Sequence, residues 1–176
     1  MLNKMKFAVA GAVIAVAMAS TGAQAATATA TAKVEILTPV TIVKTSDLDF
    51  GLIATSGAGT VVVNESSAAK SCTGSVTCVG TTGVLAAFDV TAAAAQAITV
   101  SVGNTSLVGP VGSVAMPAAL RISGTGVTVT GAGLNTGTFT SVLLAKSVKV
   151  GGTVTVGATQ LAGVYTGSFT LTADYQ

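Results

Sequence analysis

The chain has 176 residues, half of them apolar, a formal charge of +2 and no histidine. Lys4 and Lys6 carry that excess, because from Ala26 onward Lys33, Lys44, Lys70, Arg121, Lys146 and Lys149 balance Glu35, Asp47, Asp49, Glu65, Asp89 and Asp174. Such a neutral, sparsely charged chain argues against a nucleic-acid partner, whose phosphates need clustered cations, and against electrostatic attachment to anionic lipid.

Met1–Ala25 has the three parts of a signal peptide: Lys4 and Lys6, an apolar run from Phe7 to about Ala19, and Ala23-Gln24-Ala25 as a cleavage site. The apolar run is too short to span a bilayer, so no membrane-spanning segment is expected in the mature chain. Cleavage leaves about 150 residues starting at Ala26, one domain's worth, in an exported protein. The expected organisation is a leader over 1–25, an edge or donor strand over 26–38 and a β-domain over 39–176.

Directly after the leader, Ala26–Ile36 (ATATATAKVEI) alternates in period two. It places Ala26, Ala28, Ala30, Ala32, Val34 and Ile36 on one face and Thr27, Thr29, Thr31, Lys33 and Glu35 on the other. Pro39 removes a ladder donor and marks a bend, which separates this segment from the β-domain. Further strands are expected at Ala28–Ile36, Val40–Lys44, Thr60–Asn64, Leu85–Thr91, Ala97–Val102, Ala119–Ile122, Val127–Thr130, Thr138–Leu144, Ser147–Val150, Thr153–Val156 and Val164–Tyr175. Gly151-Gly152, between two alternating runs, is a hairpin signal. Ala92–Ala95 has helical propensity but is too short to stand alone, and reads as loop. The ending, Gly163–Gln176, reads as one uninterrupted strand carrying Gly163, Tyr165, Phe169, Leu171 and Tyr175. Many short strands punctuated by Gly and Thr favour a sandwich or barrel, with a core of Val, Leu, Ile and Ala and with Phe50, Phe88, Phe139 and Phe169 as its largest members.

Cys72 and Cys78, an even pair in an exported chain, read as a disulfide that staples a turn or strand end. Two thiols without histidine cannot complete a tetrahedral metal site. Ser-His-Asp and Cys-His catalysis are excluded as well. Asp47 and Asp49 are the only close carboxylates. Their spacing suits calcium or a glycosidase pair, yet two groups supply too few oxygens, and this spacing in a turn more often caps backbone donors. The glycine clusters at Gly124–Gly126 and Gly131–Gly137 lack the strand-turn-helix context and the lysine of a phosphate loop, and read as turns. Arg121 has no basic neighbours and reads as a solvated strand residue. No catalytic residue, cofactor or metal is therefore expected, and the chain is not read as an enzyme.

The runs ILTPVTIVKTSDLDFG (Ile36–Gly51), KVGGTVTV (Lys149–Val156) and AGVYTGSFTLTADYQ (Ala162–Gln176) resemble a family of small exported bacterial domains of unassigned function, DUF4402. More loosely, the chain resembles pilin subunits of the chaperone-usher type, with Tyr175 penultimate and Gly163 fourteenth from the end. The cysteine pair departs from those pilins, whose bridge spans a longer separation near the N-terminus. The pilin resemblance implies an all-β, immunoglobulin-like sandwich, either self-contained or completed by a strand from another copy. It also implies a homo-polymer, with a periplasmic chaperone and an outer-membrane usher as partners, passing through the periplasm to the cell surface.

A strand at each free end makes assembly physically reasonable. An open sheet edge exposes unpaired N–H and C=O groups, and an extended segment from another copy satisfies them while alternate side chains enter pockets. Ala26–Ile36 reaches roughly 36 Å at about 3.3 Å per residue. The reading is a structural subunit of an extracellular fibre or surface layer, serving adhesion or biofilm. Its alternative is a monomeric secreted module that presents loops such as Cys72–Cys78 or Ser101–Pro117 to a carbohydrate or protein. The lack of tryptophan, with only Tyr165 and Tyr175 as tyrosines, weakens the sugar-binding form of that alternative.

Overall fold

The computed structural model describes residues 25–131, 133–142 and 144–176. The expected leader therefore lies outside the described residues except for Ala25, as does Leu143 of the expected Thr138–Leu144 strand. Ile36–Gln176 forms one compact unit, and the described residues before it belong to another. Residues 25–35 contain neither strand nor helix and are exposed. The strand expected at Ala28–Ile36 is thus not formed. Alanine side chains offer little to bury, and no ladder supplies the backbone with partners.

Among the described residues there are eleven strands and no helix. They are β1 (Thr41–Ser46), β2 (Ile53–Val63), β3 (Lys70–Cys78), β4 (Ala86–Thr91), β5 (Ala97–Val102), β6 (Thr105–Leu107), β7 (Met116–Ser123), β8 (Thr128–Thr130), β9 (Thr136–Thr140), β10 (Lys146–Val156) and β11 (Leu171–Tyr175). One sheet runs β1-β4-β10-β2-β3, with β7 also on β10 and β6 on β7; the other runs β11-β5-β9-β8. Every pairing is antiparallel. The two sheets pack as a sandwich, the all-β architecture expected from the alternation.

The core follows the inward faces of the alternating strands: Phe88 and Val90 of β4, Ile98, Val100 and Val102 of β5, Leu120 and Ile122 of β7, and Val148, Val150, Val154 and Val156 of β10 are all buried. Phe139 is buried too, whereas Phe50 and Phe169 are half-buried against this cluster. Phe169 meets Phe88 edge-on, with centroids 6.2 Å apart. Arg121 is exposed on β7, and Ala92–Ala95 lies between β4 and β5, both as expected.

Gly151-Gly152 forms no hairpin. The pair sits inside the single strand β10, where β7 holds one edge from Lys149 to Val154 and the other edge passes from β4, at Lys146–Val150, to β2, at Gly152–Val156. A Cβ on Gly151 would lie 2.5 Å from the Val63 carbonyl oxygen, and one on Gly152 would strike the Ala119 carbonyl. Here glycine answers close backbone approach at a strand junction, not the positive φ of a turn.

The disulfide between Cys72 and Cys78 is formed, with Cα atoms 5.6 Å apart. An extended six-residue step would span about 20 Å, so β3 folds back on itself between the cysteines, with Gly74 at φ 70°. The β2–β3 ladder slips between Thr55 and Gly59 at the same place. The bridge therefore closes the bend within β3, with Cys78 as the last residue of the strand, the turn or strand-end staple expected of it.

Candidate functional site

A groove of about 800 Å³ opens in the sandwich between two stretches of irregular chain. Its floor is the inward face of β7 and β10, through Met116, Leu120, Val154 and Val156. Residues 48–55 make one wall and residues 160–169 the other. Asp49 is the one charged residue among the described residues that line it, so the groove offers apolar surface and little electrostatic discrimination.

The first wall alternates Leu48, Phe50 and Leu52. Asp49 pairs its backbone with Val84, both bonds at 2.9 Å, and its carboxylate accepts the Gly51 N–H at 2.7 Å. Asp47 accepts from Lys44 Nζ at 2.6 Å. Asp49 thus caps a backbone donor, as expected, while Asp47 makes an exposed ion pair with Lys44, and among the described residues no group of three or more Asp, Glu, Cys or His could hold a metal. Lys70, 8% exposed, donates from Nζ to the carbonyls of Leu52 at 3.1 Å and Val79 at 2.6 Å. The Val79 N–H also reaches the Leu52 carbonyl at 3.0 Å. A buried ammonium needs such acceptors to offset its desolvation, and here it fastens the wall to the disulfide-tied end of β3.

The second wall coincides with the first half of the continuous terminal strand that the alternation predicts. Only Leu171–Tyr175 forms that strand; Gly163, Tyr165 and Phe169 precede it in irregular chain. The reason lies in tertiary contacts. Thr166 makes a single bridge with Val108, at 2.7 and 2.9 Å, and Thr105 Oγ1 donates to the Ser168 carbonyl at 2.7 Å. Tyr165 donates to the Leu161 carbonyl at 2.8 Å. A Cβ on Gly163 would strike the Pro110 ring. These bonds bend the chain around the loop after β6 before it enters the second sheet.

β11 closes one border of that sheet, pairing with β5 alone. Leu171 is buried, Ala173 and Tyr175 are half-buried, and Thr172 and Asp174 face solvent. The Tyr175 hydroxyl donates to the Thr38 carbonyl at 2.5 Å and accepts the Ala93 N–H at 2.9 Å. On the expected strand-exchange face, Ala28, Ala30 and Ala32 are exposed, Val34 is 85% exposed and Ile36 91%. The groove's rim carries further exposed apolar side chains, Leu52 at 74% and Val164 at 81%.

Apart from Asp49, weighed as a carboxylate, and Phe50, read as core, the residues of the first wall, Lys70 and the floor are not singled out as a site by the sequence reading. Leu48, Phe50 and Leu52 in SDLDFGLI do carry a period-two signal, masked by the two aspartates between and beside them. A second, more open depression holds Lys146 and Lys149 among Ser66, Ser123 and Ser147, with no Asp or Glu among the described residues that line it.

Among the described residues no helix is long and apolar enough to cross a membrane. No curated protein and no solved structure matches the chain. A family model, "Domain of unknown function (DUF4402)", matches residues 40–175, which contain both walls of the groove, its floor and β11, and exclude Ala26–Ile36. The chain belongs to the DUF4402 family.

Proposed function

We propose that this protein is an exported structural subunit of a cell-surface or extracellular fibre or layer, serving adhesion or biofilm, in which Ala26–Ile36 of one copy enters the groove of the next. The observation that carries the proposal is the pairing of two unsatisfied features in one chain. One is a sparsely charged apolar groove beside an open-edged terminal strand. The other is an alternating segment with Val34 and Ile36 in solvent.

Strand addition satisfies both at once, with backbone bonds giving affinity and alternate side chains giving fit. Burying Val34 and Ile36 contributes about 1.5–3 kcal/mol each, and each ladder hydrogen bond about 0.5–1.5 kcal/mol. Alanine at the other inward positions costs almost no side-chain entropy on ordering. A chain balanced in charge has little self-repulsion to keep copies apart. Before assembly the groove needs cover, a task suited to a periplasmic chaperone that hands the subunit to an outer-membrane usher.

The test is mature protein secreted to an oxidising compartment, with and without residues 26–36. The full chain should form ladders or fibres, and the deletion should give a soluble monomer that a synthetic 26–36 peptide binds and stabilises. A full-length chain that stays monomeric at high concentration, or a deletion variant indifferent to the peptide, overturns the proposal.

A further inference from the structure

We infer that residues 108–114 and 160–164 form an apolar tip that enters the interface of a lipid bilayer, so that the domain docks on a membrane surface without spanning it. The two stretches make one patch. Val108 and Thr166 exchange backbone bonds at 2.7 and 2.9 Å, a Cβ on Gly163 would meet the Pro110 ring, and one on Gly112 would lie 3.9 Å from Leu161. The Gln160 amide donates to the Val114 carbonyl. Val108, Val111, Val114, Leu161 and Val164 are all exposed on this patch. Pro110 to Ser113 closes a β-turn: the Ser113 N–H reaches the Pro110 carbonyl at 3.0 Å, and Gly112, third in the turn, has φ 87°, the type II signature. Val111 is thereby held at the apex, 102% exposed. Val108, Val111 and Val114 do not line the groove, so the inference does not depend on strand exchange.

Three properties select a bilayer as the partner. The first is charge: no charged residue lies between Asp89 and Arg121 or between Lys149 and Asp174, so the tip has no ion to desolvate on entering an apolar phase and none to offer a charged partner. The second is shape. A projecting valine needs a concave pocket on a protein partner, whereas the fluid boundary of a bilayer closes around it. The third is polar satisfaction, because an unpaired backbone group is costly in lipid. Within the tip the Ser113 hydroxyl donates to the Pro110 carbonyl at 2.7 Å, the Tyr165 hydroxyl donates to the Leu161 carbonyl at 2.8 Å, and Val108 and Thr166 satisfy each other. Pro110 has no N–H to satisfy. Affinity then comes from buried apolar area, and it is not screened by salt as attraction to anionic lipid would be.

The experiment is flotation of the full mature chain with phosphatidylcholine vesicles at low and at high salt, which separates vesicle-bound protein from any that self-associates and sediments. Wild type should float equally well at both. Val111→Asp should lower partitioning about tenfold, Val43→Asp, an exposed change on β1, should leave it unchanged, and fluorescence of Val111→Trp should shift to the blue on vesicles. Protein that does not float, flotation abolished by high salt, or flotation indifferent to Val111→Asp overturns the inference. So does a vesicle-free dimer that Val111→Asp dissociates, since the tip would then be covered by a second copy.

Discussion

Ala26–Ile36 and Gly163–Gln176 look alike on paper: each alternates apolar and polar residues at one end of the folded chain. In the structure the first holds no strand, with Val34 85% exposed, while the second is divided into a bonded wall and a five-residue strand with Leu171 only 6% exposed. The difference shows that alternation supplies two faces but not a reason to pair. The C-terminal end has Leu171 to bury and β5 to accept its ladder; the N-terminal end offers alanines and forms no strand.

Leu171→Ala should give the largest effect on stability. It removes a buried anchor that packs in the core, and should cost about 2–5 kcal/mol in chemical denaturation. A loss near zero would mean that β11 is held as loosely as the N-terminal segment. Next, replacing Cys72 and Cys78 together by serine should cost about 2 kcal/mol, the value for closing so short a loop. It should also weaken binding of a 26–36 peptide, since the bridge and Lys70 together fasten the wall at Leu52. Unchanged peptide affinity would detach the disulfide from the groove. The smallest effect on the monomer is expected from Val34→Ser, within about 0.5 kcal/mol as for other exposed positions. The same change should impair assembly. A clear drop in monomer stability would show that the segment is already packed at home.

Much of the sandwich is legible in the sequence because β4, β5, β7 and β10 alternate strongly and bury every second residue. β3 escapes because KSCTGSVTC offers a single large aliphatic residue, Val76, and its place is set by the ladder to β2 and by the bridge. β6 is three residues long and exists only because β7 lies beside it. Gly151-Gly152 misleads because a hairpin glycine and a close-approach glycine are locally identical; the distinction rests on Val63 and Ala119, far away in sequence. Tyr175 stands out by position, yet its bonds reach back 137 residues to Thr38 and 82 to Ala93.

Local pattern and composition by themselves determined the β class, the inward faces, the cysteine bridge and the poverty of reactive groups, because each depends on side-chain chemistry at fixed spacing. Which edges close, where the groove opens and where the N-terminal segment is rooted were decided only in the folded molecule. Backbone donors and acceptors are the same at every residue, so the choice among their partners falls to long-range packing.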